Sequence, residues 1–103
     1  MTRFHVKYGP RATQDLQASY EWGVETWGRE RADDWVRQVE DLIGKRLSFM
    51  PMACPLAPEN ADFDFELRHL IIRRYRVLFT ADENTVFVLR IRGPFSGGTL
   101  ELE

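Results

Sequence analysis

At 103 residues, 44% of them hydrophobic and 13% aromatic, the chain has enough apolar mass for one compact core without the help of a metal or a disulfide. Its one cysteine, Cys54, rules out an internal disulfide, and with no long apolar run or signal-peptide pattern a soluble protein of a reducing cytoplasm, with no membrane partner, is expected. The net charge of -2 argues against a general nucleic-acid coat protein, which is usually basic throughout, but it conceals a polarised field: Leu67 to Arg92 holds six arginines against Asp82 and Glu83, while the helices predicted before it are acidic.

Arg3 to Tyr8 is the first strand candidate, closed by Gly9-Pro10, where Pro10 can take the first position of a helix. In the next segment Ala12, Leu16, Tyr20, Gly23, Val24 and Trp27 recur at helical spacing, and Gly28 is a natural stop. A second helix is predicted from near Glu30, with Ala32, Trp35, Val36, Val39, Leu42, Ile43, Leu47 and Met50 on one stripe. So few residues between the helices force them to pack antiparallel. Trp27 and Trp35 lie on the stripes and read as core. Trp22 projects to the flank of the first helix, where it is either a wedge against the neighbouring elements or an exposed anchor for a partner.

Pro51 to Asp64, with three prolines and Asn60-Ala61-Asp62, reads as a connecting loop. A three-strand meander follows. Tyr75, Val77 and Phe79 share one face by alternation, as do Phe87, Leu89 and Ile91, leaving Arg74, Arg76, Arg90 and Arg92 on the other. A three-residue loop, Asp82-Glu83-Asn84, would set Val77 opposite Leu89, Phe79 opposite Phe87, Arg76 opposite Arg90 and Arg74 opposite Arg92. Like charges directly opposed on a sheet are destabilising by some tenths of a kcal/mol, so this face is expected to meet an anionic partner. The competing reading is a solvated face whose arginines find carboxylates such as Glu66.

Gly93 to Glu103 has the composition of a flexible end, leaving a single domain over residues 1–92 and an α+β fold of strand, helical hairpin and antiparallel meander packed as one sheet against the helices. No phosphate-binding glycine motif or zinc spacing occurs, so no cofactor and no metal site is expected. Cys54, set between prolines, reads as an unreactive thiol, and His69 as a packed or half-exposed histidine rather than a general base.

The order of these elements, with DLQASYEWGVETWGRERADDW in the hairpin and LRHLIIRRYRVLFTADENTVFVLRI in the meander, resembles the ParE/RelE superfamily of toxins from bacterial type II toxin-antitoxin systems over about Phe4 to Ile91. The most specific parts are the aromatic end of the first helix with Trp27-Gly28 and the two strands around the acidic turn. The resemblance implies a growth-inhibiting toxin with a cognate antitoxin of the ParD kind as its partner. It also implies one of two targets: DNA gyrase for ParE-like members, or mRNA on the ribosome for RelE-like endoribonucleases.

Arg76 matches the strand arginine of the RelE pattern and is the catalytic candidate if the chain is a ribonuclease. Where those ribonucleases carry further basic, Tyr or His residues after the last strand, this chain reads Arg92-Gly93-Pro94-Phe95-Ser96, and the spacing of Tyr20, Trp22 and Trp27-Gly28 is closer to ParE. Many ParE-like members have a His just after the last strand, where Arg92-Gly93 stands here. On this reading the chain is a non-enzymatic ParE-like inhibitor, with Trp22, Arg74, Arg76, Arg90 and Arg92 as its target- or antitoxin-binding residues.

Overall fold

The computed structural model describes residues 3–93 and 100–102, so the part of the expected flexible end that falls on residues 94–99 and 103 lies outside the described residues. Strand β1 (His5–Tyr8) leads through Gly9 into α1 (Pro10–Trp27). After Gly28 the chain reverses into α2 (Arg29–Phe49). Strands β2 (Arg68–Ile72), β3 (Tyr75–Ala81) and β4 (Thr85–Arg92) complete a four-stranded sheet in the order β1-β4-β3-β2. The meander is antiparallel as expected, and β1 joins it parallel to β4, pairing Val6 with Val86 and Tyr8 with Val88.

Gly28 makes the reversal between the helices. Its φ of 92° is available to glycine and costly for an L side chain, and its N–H closes α1 on the Val24 carbonyl. Gly23 sits where the helices are close, since a Cβ there would come within 3.3 Å of the Trp27 ring and 3.4 Å of the Ala32 Cβ. Tyr20 adds a polar tie, donating its hydroxyl to Asp33 Oδ1 across the hairpin at 2.6 Å. The predicted stripe on α2 overruns by one residue. Met50 precedes Pro51, which disfavours helical geometry, and the helix ends at Phe49 with Met50 exposed.

One face of the sheet packs on the hairpin. Its core joins Ala12 and Leu16 of α1 and Val39, Ile43 and Leu47 of α2 to Leu70, Ile72, Val77, Phe79, Val86, Val88 and Ile91. Tyr75, Val77 and Phe79 share the core face as read from the alternation. On β4 that reading fails: Val86, Val88 and Ile91 point inward, Phe87 is exposed, and Leu89 faces the opposite side.

Two features cause the difference. The turn closes on Asp82 and Thr85, with the Asp82 carboxylate accepting from the Asn84 and Thr85 amides, so only Glu83 and Asn84 form the tip. A β-bulge then advances β4 by two residues, from Val88 to Arg90, while β3 steps from Phe79 to Leu78. Phe79 therefore pairs with Val88, Val77 with Ile91, and Arg76 with Arg92. Neither the expected pairing of Arg76 with Arg90 nor that of Arg74 with Arg92 forms.

The outer face of the sheet is partly covered. Residues 51–64 contain two short 3-10 turns, Pro51–Ala53 and Pro58–Asp62, and Leu56 bridges to Arg68 beside β2. Ala57, Leu67 and Leu78 form a second small core, joined by Phe63, Leu89, Leu100 and Leu102. Within the end read as flexible, Leu100 and Leu102 pack against this second core, which includes Leu78 and Leu89.

Candidate partner-binding site

The predicted arginine ladder is divided among three settings. Arg76 lies on the outer face and is clamped by Glu59 through two hydrogen bonds of 2.9 and 2.7 Å. This pairing holds the Glu59 carboxyl well below its ordinary value, down to about 2. Arg76 Nε also lies 3.4 Å from His69 Nδ1, and burial followed by the nearby Arg76 charge pushes the histidine pKa down, which favours the neutral ring needed to accept that contact.

Arg90 is held by Asp15 of α1 through bonds of 2.7 and 3.0 Å, with both side chains largely buried, and it also donates to the Glu101 carbonyl at 2.6 Å. The same Asp15 carboxylate accepts the Ile91 amide at 2.9 Å. Because β1 pairs with β4 only as far as Val88, Asp15 takes over the strand edge where β1 stops. Arg92 sits opposite Arg76 on the sheet.

Arg74 is not on a strand. It forms the β2–β3 turn with Arg73, both residues at positive φ, 49° and 73°, between the closing pair Ile72 and Tyr75. A two-residue turn of this kind favours Asn-Gly, since each left-handed non-glycine residue costs on the order of 1–2 kcal/mol. Both arginine side chains are therefore held out at the tip of the hairpin, exposed.

That tip meets the far end of the helical hairpin. Trp22, Trp27, Trp35 and Tyr75 form a continuous aromatic row, with successive ring centroids 5.2, 6.5 and 5.3 Å apart. Trp22 stands edge-on against Trp27 and is 50% exposed, so it is not a buried wedge. Trp27 is 37% exposed, against its expected place in the core. Only Trp35 packs against the main core. Together with Arg73 and Arg74 these rings line an open groove of about 520 Å³.

The structure thus brings Trp22 and Arg74 together and places Arg76 and Arg90 elsewhere, each with its own carboxylate. Sequence reasoning missed Asp15, Glu59 and Arg73. Asp15 had a usable signal, a carboxylate beside Ala12 and Leu16 on a core-facing stripe, which demands a cation. Glu59 had none, since its loop has no period. Cys54 is half-buried, and its burial raises the thiol pKa. Among the described residues no cluster of His, Cys, Asp and Glu is arranged to hold a metal.

The family model of the ParE toxin of type II toxin-antitoxin systems, parDE, matches residues 6–93, from within β1 to just past the end of β4. The chain belongs to the ParE toxin family. Its α+β architecture is shared with a chain of the chromosomal ParDE toxin-antitoxin system from P. aeruginosa, at a TM-score of 0.72 and 22% identity over 88% of this chain and 96% of that one. No curated protein matches significantly in sequence. In this ParE-family chain no helix among the described residues is long and apolar enough to cross a membrane.

Proposed function

We propose that this ParE-family toxin arrests bacterial growth by binding DNA gyrase, without covalent chemistry of its own, and that a cognate ParD-like antitoxin neutralises it. The observation that carries the reading is the ParE family match over residues 6–93. Support comes from the engagement of Arg76, the arginine a RelE-like mechanism would aim at a phosphate, with both oxygens of Glu59. The fold neighbour belongs to a system that pairs a toxin with an antitoxin, which supports a protein partner for this chain.

Inducing the chain alone in a bacterial host that carries a DNA-damage reporter tests this. Growth arrest with reporter activation is expected, together with inhibition of purified gyrase. Normal growth overturns the toxin reading. A second reading, ribosome-dependent mRNA cleavage, draws on the proximity of His69 to Arg76 on one face of the sheet. Arrest without the reporter, with ribosome-bound mRNA cut by the wild type and spared by Arg76→Ala, would select it.

A further inference from the structure

We propose that this chain pairs with a second copy of itself through an apolar patch at the open edge of the sheet, where the C-terminal end of α2 meets β2. The patch lies at the other end of α2 from the Trp22 groove, about 30 Å away along a helix of 21 residues. A dimer formed here leaves both grooves open.

Exposed apolar surface is concentrated at this edge. Of the nine large apolar side chains exposed among the described residues, five gather here: Phe49, Met50, Met52, Leu56 and Ile71, each between 44% and 56% exposed. Phe49, Met50 and Ile71 line one hollow of about 500 Å³ with Cys54 and Pro55. Met52 and Leu56 flank it, because Arg68 reaches the Met52 and Cys54 carbonyls and Leu56 bridges to Arg68. Half-exposed, five side chains of this size present several hundred Å², as much as the largest patch on most monomers. With its polar rim the patch approaches the roughly 800 Å² that each partner contributes to a stable interface.

The sheet is also incompletely closed there. Strand β2 is an edge strand, and residues 55–57 cover only its first half, where the His69 amide donates to the Pro55 carbonyl and the Leu67 carbonyl accepts from the Ala57 amide. The cover stops before Ile71, which by the alternation of the ladder turns its backbone the same way as His69. Soluble proteins usually guard such an edge with a charge or a proline, and here it carries an exposed isoleucine.

Charge selects the kind of partner. Around the patch Lys45 is paired with Asp41 and Arg68 with Glu66, and burial holds His69 toward its neutral form. Arg46 is the surplus cation of this rim among the described residues. A rim so nearly balanced gives little attraction to nucleic acid or to an anionic membrane, which unbalanced basic patches recruit. It does permit a two-fold contact in which the same surface meets itself. Met50 and Met52 supply unbranched side chains that can adapt to such a face.

Sedimentation equilibrium of the purified full chain, from about 2 to 200 μM, tests this. A reversible monomer–dimer equilibrium is expected, with a dissociation constant on the order of 10–100 μM for an interface at the small end of its class. It should change less than about twofold between roughly 0.05 and 0.5 M salt, because apolar burial and not charge drives it. The variant that decides is Met50→Ser with Ile71→Thr. Both positions are exposed, so no cavity forms, and threonine keeps the strand preference. A loss of affinity of about tenfold or more is expected for it, while Trp22→Ser should leave the dimer unchanged.

A chain that stays monomeric across the range overturns the proposal, as does a dimer that the double variant leaves intact. A dimer lost in Trp22→Ser would place self-association in the groove instead. Cosedimentation of a monomeric chain with phosphatidylglycerol vesicles, abolished by the double variant, would assign the patch to a lipid surface. Because these experiments read mass and not growth, failure here is distinct from failure of the toxin reading.

Discussion

Asp15 and Glu59 each bind an arginine of the sheet, but the two pairs do different work. Asp15 joins α1 to β4 by charge and also satisfies the Ile91 amide, so its removal leaves a partly buried guanidinium and an orphaned N–H. Asp15→Ala is expected to cost about 2–4 kcal/mol in urea unfolding, with Asp15→Asn costing less because it can still accept from the amide. Glu59 ties the loop to β3, and its pKa, lowered chiefly by the hydrogen bonds from Arg76 to about 2 from an ordinary 4.5, fixes the sign of its pH dependence. A depressed carboxyl contributes its full stability above the unfolded value and loses it as pH falls toward the folded one. The stability difference between the wild type and Glu59→Gln should therefore be largest near neutrality and shrink between about pH 4.5 and 2, as thermal unfolding across that range would show. Neither pair was legible beforehand as a pair. Residues 15 and 90, or 59 and 76, become neighbours only through the docking of a helix or loop on the sheet.

The elements were far more legible, wherever one period ran without interruption. Both helices carry a single apolar stripe, and Pro10 and Gly28 mark an entry and an exit that local sterics enforce. Gly28→Ala should lower stability by about 1–2 kcal/mol without changing helix content by circular dichroism, because its φ of 92° is strained for alanine. Strand β4 was misread for a physical reason. Val86-Phe87-Val88-Leu89 is apolar at every position, so alternation has no phase to report there, and a bulge then moves Ile91 onto the phase of Val86 and Val88. The β2–β3 turn was hidden in the same way, since Arg73-Arg74 has none of the usual turn chemistry and Arg74 read as the start of a strand. Replacing that pair by Asn-Gly should raise the denaturation midpoint, by an amount equivalent to about 1–2 kcal/mol, and this stabilisation checks the turn strain independently of any ligand.

Across the whole molecule, one layer of helices on one sheet gives a flat body of 39 × 34 × 20 Å and leaves the second sheet face to be covered by whatever the chain can spare. Residues 51–64 and Leu100 to Leu102 supply that cover around Leu78. Changing Leu100 and Leu102 together to Ala should cost about 1–2 kcal/mol and increase dye binding to exposed apolar surface. The positive field anticipated over the outer face is thereby redistributed: carboxylates from α1 and from the loop neutralise its middle, and the exposed arginines gather at the β2–β3 tip beside the tryptophans. Helix stripes, the reversal at Gly28 and the order of elements follow from interactions within a few residues, so the sequence by itself determined them, and with them the α+β class. The register of β4, the partners of Arg76 and Arg90, and the meeting of Trp22 with Arg73 and Arg74 depend on contacts between segments far apart in the chain. Only the tertiary structure could decide those, because each is set by how the layers dock and not by any period that the residues carry.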